Sequence, residues 1–218
     1  MFIPFKDDNP TRRFAIVSFL LIVANVLVFL YQIFGAEGFE AATLRLGLVP
    51  KTLFAGDGNV EPARFVPRAA LLSYMFSHGS IPHLAFNMLF LWIFGNNVED
   101  RMSRPGYLAF YIIVGIISAL AFVFGAPSSE APLVGASGAV SGVLGAYLFM
   151  YPMARVHVWM IFFTMRMPAL LFLPIWFALQ VFGLLGSAAG GGNVAWISHI
   201  AGFIAGALLF RPFKKKWV

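Results

Sequence analysis

Apolar residues in this chain do not alternate with polar ones; they gather into long uncharged runs separated by short polar or charged segments. The first run covers 14–34, 21 residues, about the length a helix needs to cross a hydrocarbon core of roughly 30 Å. Further runs cover 81–98, 107–126, 133–153 and 167–189, with a shorter one at 194–210. A bilayer offers backbone amides no partner, and these runs are too long and continuous for barrel strands, so each is expected to be helical. The pattern predicts an all-α polytopic membrane protein, one domain over 1–218 with six transmembrane helices. The first run is too long for a signal-peptide core and lacks a small-residue cleavage site, so it reads as a retained signal anchor.

The segments between runs are unequal. The first outer loop, 35–80, is too large for a simple connector. Its apolar residues (Leu44, Leu46, Leu48, Val49, Leu53, Phe54, Phe65, Leu71 and Leu72) predict a partly folded insertion in the outer interface. The stretch 156–164 is apolar but bounded by Arg155 and Arg166, which predicts a segment along the inner interface and not a span. Residues 187–193 read SAAGGGN, with almost no side chain to bury, and are expected to form a mobile loop.

Composition removes the soluble alternative. The chain is 60% hydrophobic and 11% charged, where globular proteins average roughly 45–50% and about 25%. Its net charge of +6 is not a basic face. Lys6, Arg12 and Arg13 precede the first span, and Arg101 and Arg104 separate the second and third. Arg155 and Arg166 flank the fourth loop, while Arg211, Lys214, Lys215 and Lys216 end the chain. Arg45, Lys51, Arg64 and Arg68 lie in the long first loop, where the charge rule is weak. Nucleic acid is not an expected partner, and both termini are predicted to be cytoplasmic. With no Cys, disulfides and thiolate metal sites are excluded.

Polar groups inside a bilayer are costly and therefore informative. No Asp, Glu, Lys or Arg falls within the span cores. That removes paired-aspartate proteolysis and carboxylate proton relays, and the residue after His83 is Leu84, so there is no HExxH site. What remains is Asn25, Gln32, His83, Asn87, Ser118, Ser137, Ser141, Gln180, Ser198 and His199. The predicted topology starts the second, fourth and sixth spans on the outer side, so His83, Asn87, Ser137 and His199 converge in the outer half of the bilayer. His83 and Asn87 are four apart and share a helix face. Ser137 lies in GASGAVSG, where Gly138 and Gly142, or Ser137 and Ser141, form a small-residue face, and Gly202 and Gly206 form another in SHIAGFIAG. Such faces let helices approach closely enough for a serine to reach a histidine.

Each of these residues has an ordinary reading as well. Ser137 alone is best read as packing, and G-A-S-G-A is out of register with the soluble GxSxG elbow. His199 could line a pore, and the His83 and Asn87 pair could be interhelical glue. His78 reads as an interfacial side chain, His157 as solvated, and Asn25, Gln32 and Gln180 as packing groups. A metal site of His78, His83 and His199 is disfavoured for want of a carboxylate. The joint pattern favours catalysis, because one mechanism uses four residues that otherwise need separate explanations.

These residues resemble the rhomboid family of intramembrane serine proteases over about 73–210. His78 and the HLAFN run from His83 to Asn87 look like the second-span motif, and Gly95, Glu99 and Arg101 like its exit. Gly135 to Gly138 look like the GxSG nucleophile motif, and His199 with Gly202 like HxxG. The resemblance implies a rhomboid-like bundle in which Ser137 is nucleophile and His199 general base. It also implies an oxyanion hole from His83, Asn87 and the Ser137 backbone amide, close packing at Gly135, Gly138, Gly142, Gly202 and Gly206, and no cofactor or metal. The implied partners are the lipid bilayer and transmembrane protein substrates, cut near their outer ends at small residues. The expected location is a bacterial inner membrane, with the site opening outward. Substrate is expected to enter past the fifth span, interrupted by Pro168, Pro174 and Gly183, with 187–193 as a lid. Two positions depart from the pattern: Ser141 stands where relatives often place an aromatic against the histidine, and the first loop has no Trp-Arg pair, with Arg45 or Arg64 as substitutes. The alternative is a catalytically silent relative that binds or sorts membrane proteins. A channel or transporter is disfavoured, since the sequence shows neither an inverted repeat nor a charged pore ring.

Overall fold

A computed structural model of the chain describes residues 2–53, 67–160, 162–190 and 195–215. The predicted Phe54, Arg64 and Phe65 of the first loop, 191–193 of the proposed lid and Val194 lie outside the described residues.

Among the described residues, four helices are long and apolar enough to cross a bilayer: α1 (Ile16–Phe34), α7 (Arg104–Gly125), α9 (Ala169–Gly190, over its stretch Ala169–Gly186) and α10 (Ala195–Phe213). Their outward faces keep large apolar side chains exposed, among them Leu27, Phe124, Phe182 and Leu208. A belt of that kind suits lipid, where it incurs no hydration penalty. The protein is an integral, multi-pass membrane protein.

The other two predicted spans are built differently. The second is a relay of α5 (Ile81–Phe90), one π-helical turn (Leu91–Gly95) and α6 (Asn96–Arg101), ending on Glu99, Asp100 and Arg101 instead of on apolar residues. Pro82 stands in its first turn, and the Ser80 side chain caps it by accepting from the His83 amide. The fourth, α8 (Ser137–Met150), has only 14 residues, about 21 Å of rise. Its predicted start, 133–136, lies outside the helix, with Ala136 as the N-cap residue. Leu48 and Leu133 exchange two backbone hydrogen bonds (3.0 and 2.8 Å), and the Gly135 amide donates to Tyr74 O at 2.9 Å. Tertiary pairing holds these residues out of the helix although their apolarity fits a span.

The chain is also not all-α. The strands β1 (Phe2–Asp7), β2 (Arg155–Met160) and β3 (Phe163–Pro168) form an antiparallel sheet in that order. Val156 and Val158 are buried while Arg155 and Trp159 are exposed, a period of two that marks a half-buried strand. β2 and β3 thus pair with each other and with the N-terminal strand, which supplies backbone partners that an isolated interfacial segment lacks.

One end of the bundle gathers the basic segments. The Arg13 guanidinium donates to the carbonyls of Glu99, at 2.6 Å, and Met102. The Lys215 amide donates to Arg101 O at 2.8 Å, and Met102 bridges Lys214. The sheet adds Arg155 and Arg166 to the same end. Glu99, fully buried, holds this end to α1: its carboxylate accepts from the amides of Val17 (3.1 Å) and Ser18 (2.8 Å) and from the Ser18 hydroxyl (3.0 Å). It caps the first turn of α1, where amides lack intrahelical partners and the helix dipole favours an anion.

At the opposite end, the described parts of the first loop form α2 (Phe39–Leu46), α3 (Pro50–Leu53), α4 (Pro67–Ser73) and a 3₁₀ turn (Tyr74–Phe76). Leu48 and Val49 are buried, and Lys51 pairs with Glu130 at 2.6 Å, so the insertion braces the extended chain that leads into α8. Arg45, a suggested substitute for the missing Trp-Arg pair, bonds Glu37 and the Tyr31 hydroxyl. The other substitute, Arg64, lies outside the described residues.

Candidate active site

The lead-in to α8 decides where Ser137 sits. Gly135 has φ +111°, a conformation that only glycine adopts without strain, and it turns the extended chain into the helix. Ser137 is therefore the first residue of α8. Its amide and those of Gly138 and Ala139 belong to the opening turn, which has no intrahelical acceptor for them.

α10 passes α8 at backbone contact. A Cβ on Gly202 would lie 2.1 Å from Gly138 O, one on Gly206 would lie 1.9 Å from Gly142 O, and one on Gly145 would lie 2.1 Å from Phe203 O. On α10, Gly202 and Gly206 thus face the backbone of α8. On α8 the contacts differ: Gly138 makes room for Ser118 of α7, whose oxygen would lie 1.9 Å from an added Cβ, and Gly142 for Val114, at 2.0 Å. Gly145 is a contact that the sequence reading missed, because it lies one turn beyond the spacing considered.

At this separation Ser137 Oγ lies 2.7 Å from His199 Nε2. The other imidazole nitrogen, Nδ1, lies 2.9 Å from Gln180 Oε1 of α9, and Gln180 Nε2 donates to Trp176 O at 3.1 Å. The Trp196 ring meets His199 edge to face at 6.0 Å. The imidazole is thus held by an amide and an indole, while Ser141 bonds back to Ser137 O at 2.6 Å. Gln180, expected only to pack, contacts the dyad.

His83 and Asn87 reach the same place from α5. A Cβ on Gly135 would lie 2.6 Å from His83 Nε2 and 3.4 Å from Asn87 Nδ2, so both side chains close over the residue two before the serine. Behind them, His78 is fully buried, with Nε2 3.1 Å from Asn87 Nδ2 and its ring 5.1 Å from that of His83. Gln32 of α1 clamps the His78 backbone, accepting from its amide at 2.9 Å and donating to its carbonyl at 3.2 Å. The interfacial reading of His78 and the packing-only reading of Gln32 are therefore corrected. His157 is corrected too: it is not merely solvated but lies 2.6 Å from Asp8. Among the described residues, no cluster of His, Asp and Glu could hold a metal ion.

A cavity of about 490 Å³ opens beside the pair, with apolar walls that include Phe86 and Phe90 of α5 and Trp176 and Leu179 of α9. Residues 187–190, expected in a mobile loop, instead continue α9.

The fold and this site define a polytopic helical membrane protein with a hydrogen-bonded serine and histidine facing an apolar cleft. Residues 68–215 match the rhomboid domain, and the chain belongs to the rhomboid family. It is 34% identical over 147 residues to rhomboid protease GluP of Bacillus subtilis, covering 66% of this chain and 25% of the relative. It is 32% identical over 140 residues to the human presenilin-associated rhomboid-like protein, mitochondrial (63% and 34%). Against rhomboid protein 1, mitochondrial, of Saccharomyces cerevisiae it is 26% identical over 145 residues (65% and 40%). The chain thus spans between a quarter and two fifths of the length of these curated relatives. With both bacterial and mitochondrial relatives, family membership alone does not select a bacterial membrane.

Proposed function

We propose that the chain is an intramembrane serine endopeptidase that cuts transmembrane segments of other proteins. The reading rests on one observation above all, the 2.7 Å contact between Ser137 Oγ and His199 Nε2. Ser137 attacks the peptide carbonyl as His199 takes its proton, and the tetrahedral intermediate collapses as His199 returns that proton to the leaving amine. Water, deprotonated by the same imidazole, then releases the acyl group and regenerates Ser137. His83, Asn87 and the free amide at the start of α8 surround the oxygen that becomes negative, and the positive end of the helix dipole favours the same charge. The pair works as a dyad, without a carboxylate as third member.

The gathered basic segments support cytoplasmic termini. Since α8 rises only about 21 Å from that end, Ser137 then sits some 10 Å below the outer edge of a hydrocarbon core of roughly 30 Å. That depth suits a substrate that unwinds near its outer end. A helical peptide bond is shielded by its own hydrogen bonds, so Gly or Pro near the cut should favour cleavage.

The test is cleavage of a single-span substrate in proteoliposomes by wild type, Ser137→Ala and His199→Ala. Loss of product in both variants is expected. Equal product from all three, or none from wild type, would reject the protease reading and leave the silent, membrane-protein-binding relative.

A further inference from the structure

Between 169 and 186, α9 carries one amide side chain, Gln180, in an otherwise apolar sequence. Gln180 is buried to 7% exposure and bridges two partners whose chemistry fixes its orientation. Trp176 O can only accept, so the Gln180 group 3.1 Å from it is the NH₂, and Oε1 faces His199. An amide oxygen can only accept as well. The proton on the neutral imidazole therefore sits on Nδ1, leaving Nε2 with the lone pair that receives the Ser137 hydroxyl 2.7 Å away. With the opposite tautomer, Nε2–H would face Ser137 and could not act as a base.

The helix that carries this group matters. Ser137 and His199 belong to α8 and α10, which meet at backbone contact, whereas Gln180 comes from α9, where Pro174 interrupts the ladder. We propose that Gln180 is a positioning residue that sets the tautomer of His199 and makes it depend on the place of α9. The inference rests on the protease reading above. When α9 moves outward to admit a substrate, Oε1 leaves Nδ1, and the base regains its correct tautomer as α9 returns.

Three variants and one spectroscopic measurement test this. Gln180→Met keeps length and apolar volume but removes the acceptor, and should lower kcat by about tenfold, the upper end for one buried hydrogen bond, with KM within about twofold. Labelling of Ser137 by a fluorophosphonate should slow in parallel. Gln180→Asn is one methylene too short and should resemble Met. Gln180→Glu should recover most of the activity, because a protonated carboxyl in an apolar site offers the same donor to Trp176 O and the same acceptor to Nδ1. ¹⁵N spectra of the four histidines, with His199 assigned through His199→Ala, should show the proton on Nδ1 in wild type and a tautomer mixture in Gln180→Met. An Nε2–H tautomer in wild type would overturn the proposal even if every variant failed to fold. So would wild-type kcat in Gln180→Met, or a loss confined to KM, which would make Gln180 a wall of the substrate cleft. Inactive wild type rejects the protease reading instead, so the two failures are distinguishable.

Discussion

Gly202→Ala isolates the helix contact on which the serine and histidine pair depends. An alanine Cβ at this position lies 2.1 Å from Gly138 O, and ordinary contact begins at 3.4 Å, so relief requires about 1.3 Å of separation between α8 and α10. The obstruction is a backbone carbonyl inside a helix and cannot rotate away. His199 lies on the preceding turn of α10 and Ser137 directly before Gly138, so the displacement falls on the 2.7 Å hydrogen bond between them. Lengthened toward 4 Å, that bond passes the roughly 3.2 Å reach needed for proton transfer. A misplacement of about 1 Å can cost roughly 10²-fold in rate, and overpacking costs about 1–3 kcal/mol of stability. The expected outcome is a kcat at least about 100-fold below wild type in proteoliposomes, with a modestly lower Tm and a helical circular dichroism spectrum. Gly186→Ala is the control, since its Cβ would meet nothing within 4 Å. Wild-type turnover and Tm in Gly202→Ala would refute the claim that backbone contact sets the dyad distance.

Further outcomes follow from other contacts. His83→Ala and Asn87→Ala should each lower kcat with little change in KM, by roughly 2.7–4 kcal/mol in activation free energy if each donates to the oxyanion; a loss confined to KM would reject that role. Glu99→Ala strips the acceptor from two amides of α1 and should cost about 1–3 kcal/mol, read as a lower Tm, whereas Glu99→Gln keeps an acceptor and should lose less. A thiol-reactive cross-linker between Phe90→Cys and Trp176→Cys ties α5 to α9 across the space where the two rings now sit 6.3 Å apart, in a chain with no other Cys. A linker cleavable by reductant should slow proteolysis while intact and restore it once cut; equal rates in both states would discard substrate passage beside α9. Burial raises the Asp7 carboxyl from the usual 3.8 to about 6, against the hydrogen bond from Tyr147, which favours the anion. The folded state thus holds an extra proton between those values, so the Asp7 contribution is full below about pH 4 and is lost as pH rises through 6. Asp7→Asn should raise Tm at about pH 7.5 and not at about pH 4, and an equal change at both would reject the assignment.

What could be read from the sequence, and what could not, both follow from the bilayer. Hydrocarbon forces backbone amides into helices, so the long apolar runs of α1, α7, α9 and α10 were visible within a few residues. It also makes polar side chains scarce, so the four that close the site stood out. The same pressure hid the rest. Within an apolar run, hydropathy cannot tell helix from extended chain, and the four residues before Ser137 leave the helix because of Leu48 and Tyr74, far away in sequence. The sheet escaped for a related reason: β2 and β3 read as one apolar stretch, and their third partner lies about 150 residues earlier, at the N-terminus. Gln180 and Gln32 were seen as polar, but their roles depend on which helix each faces, and a 3.6-residue period leaves that open when the whole circumference is apolar. A polar residue in such a span must nevertheless find a partner in protein, because lipid supplies none. For that reason every amide in an apolar span merits a search for the ionisable group it can reach. Gln180 reaches His199, and Gln32 reaches Asn87 through His78, so both hydrogen-bonding chains end at the cleft.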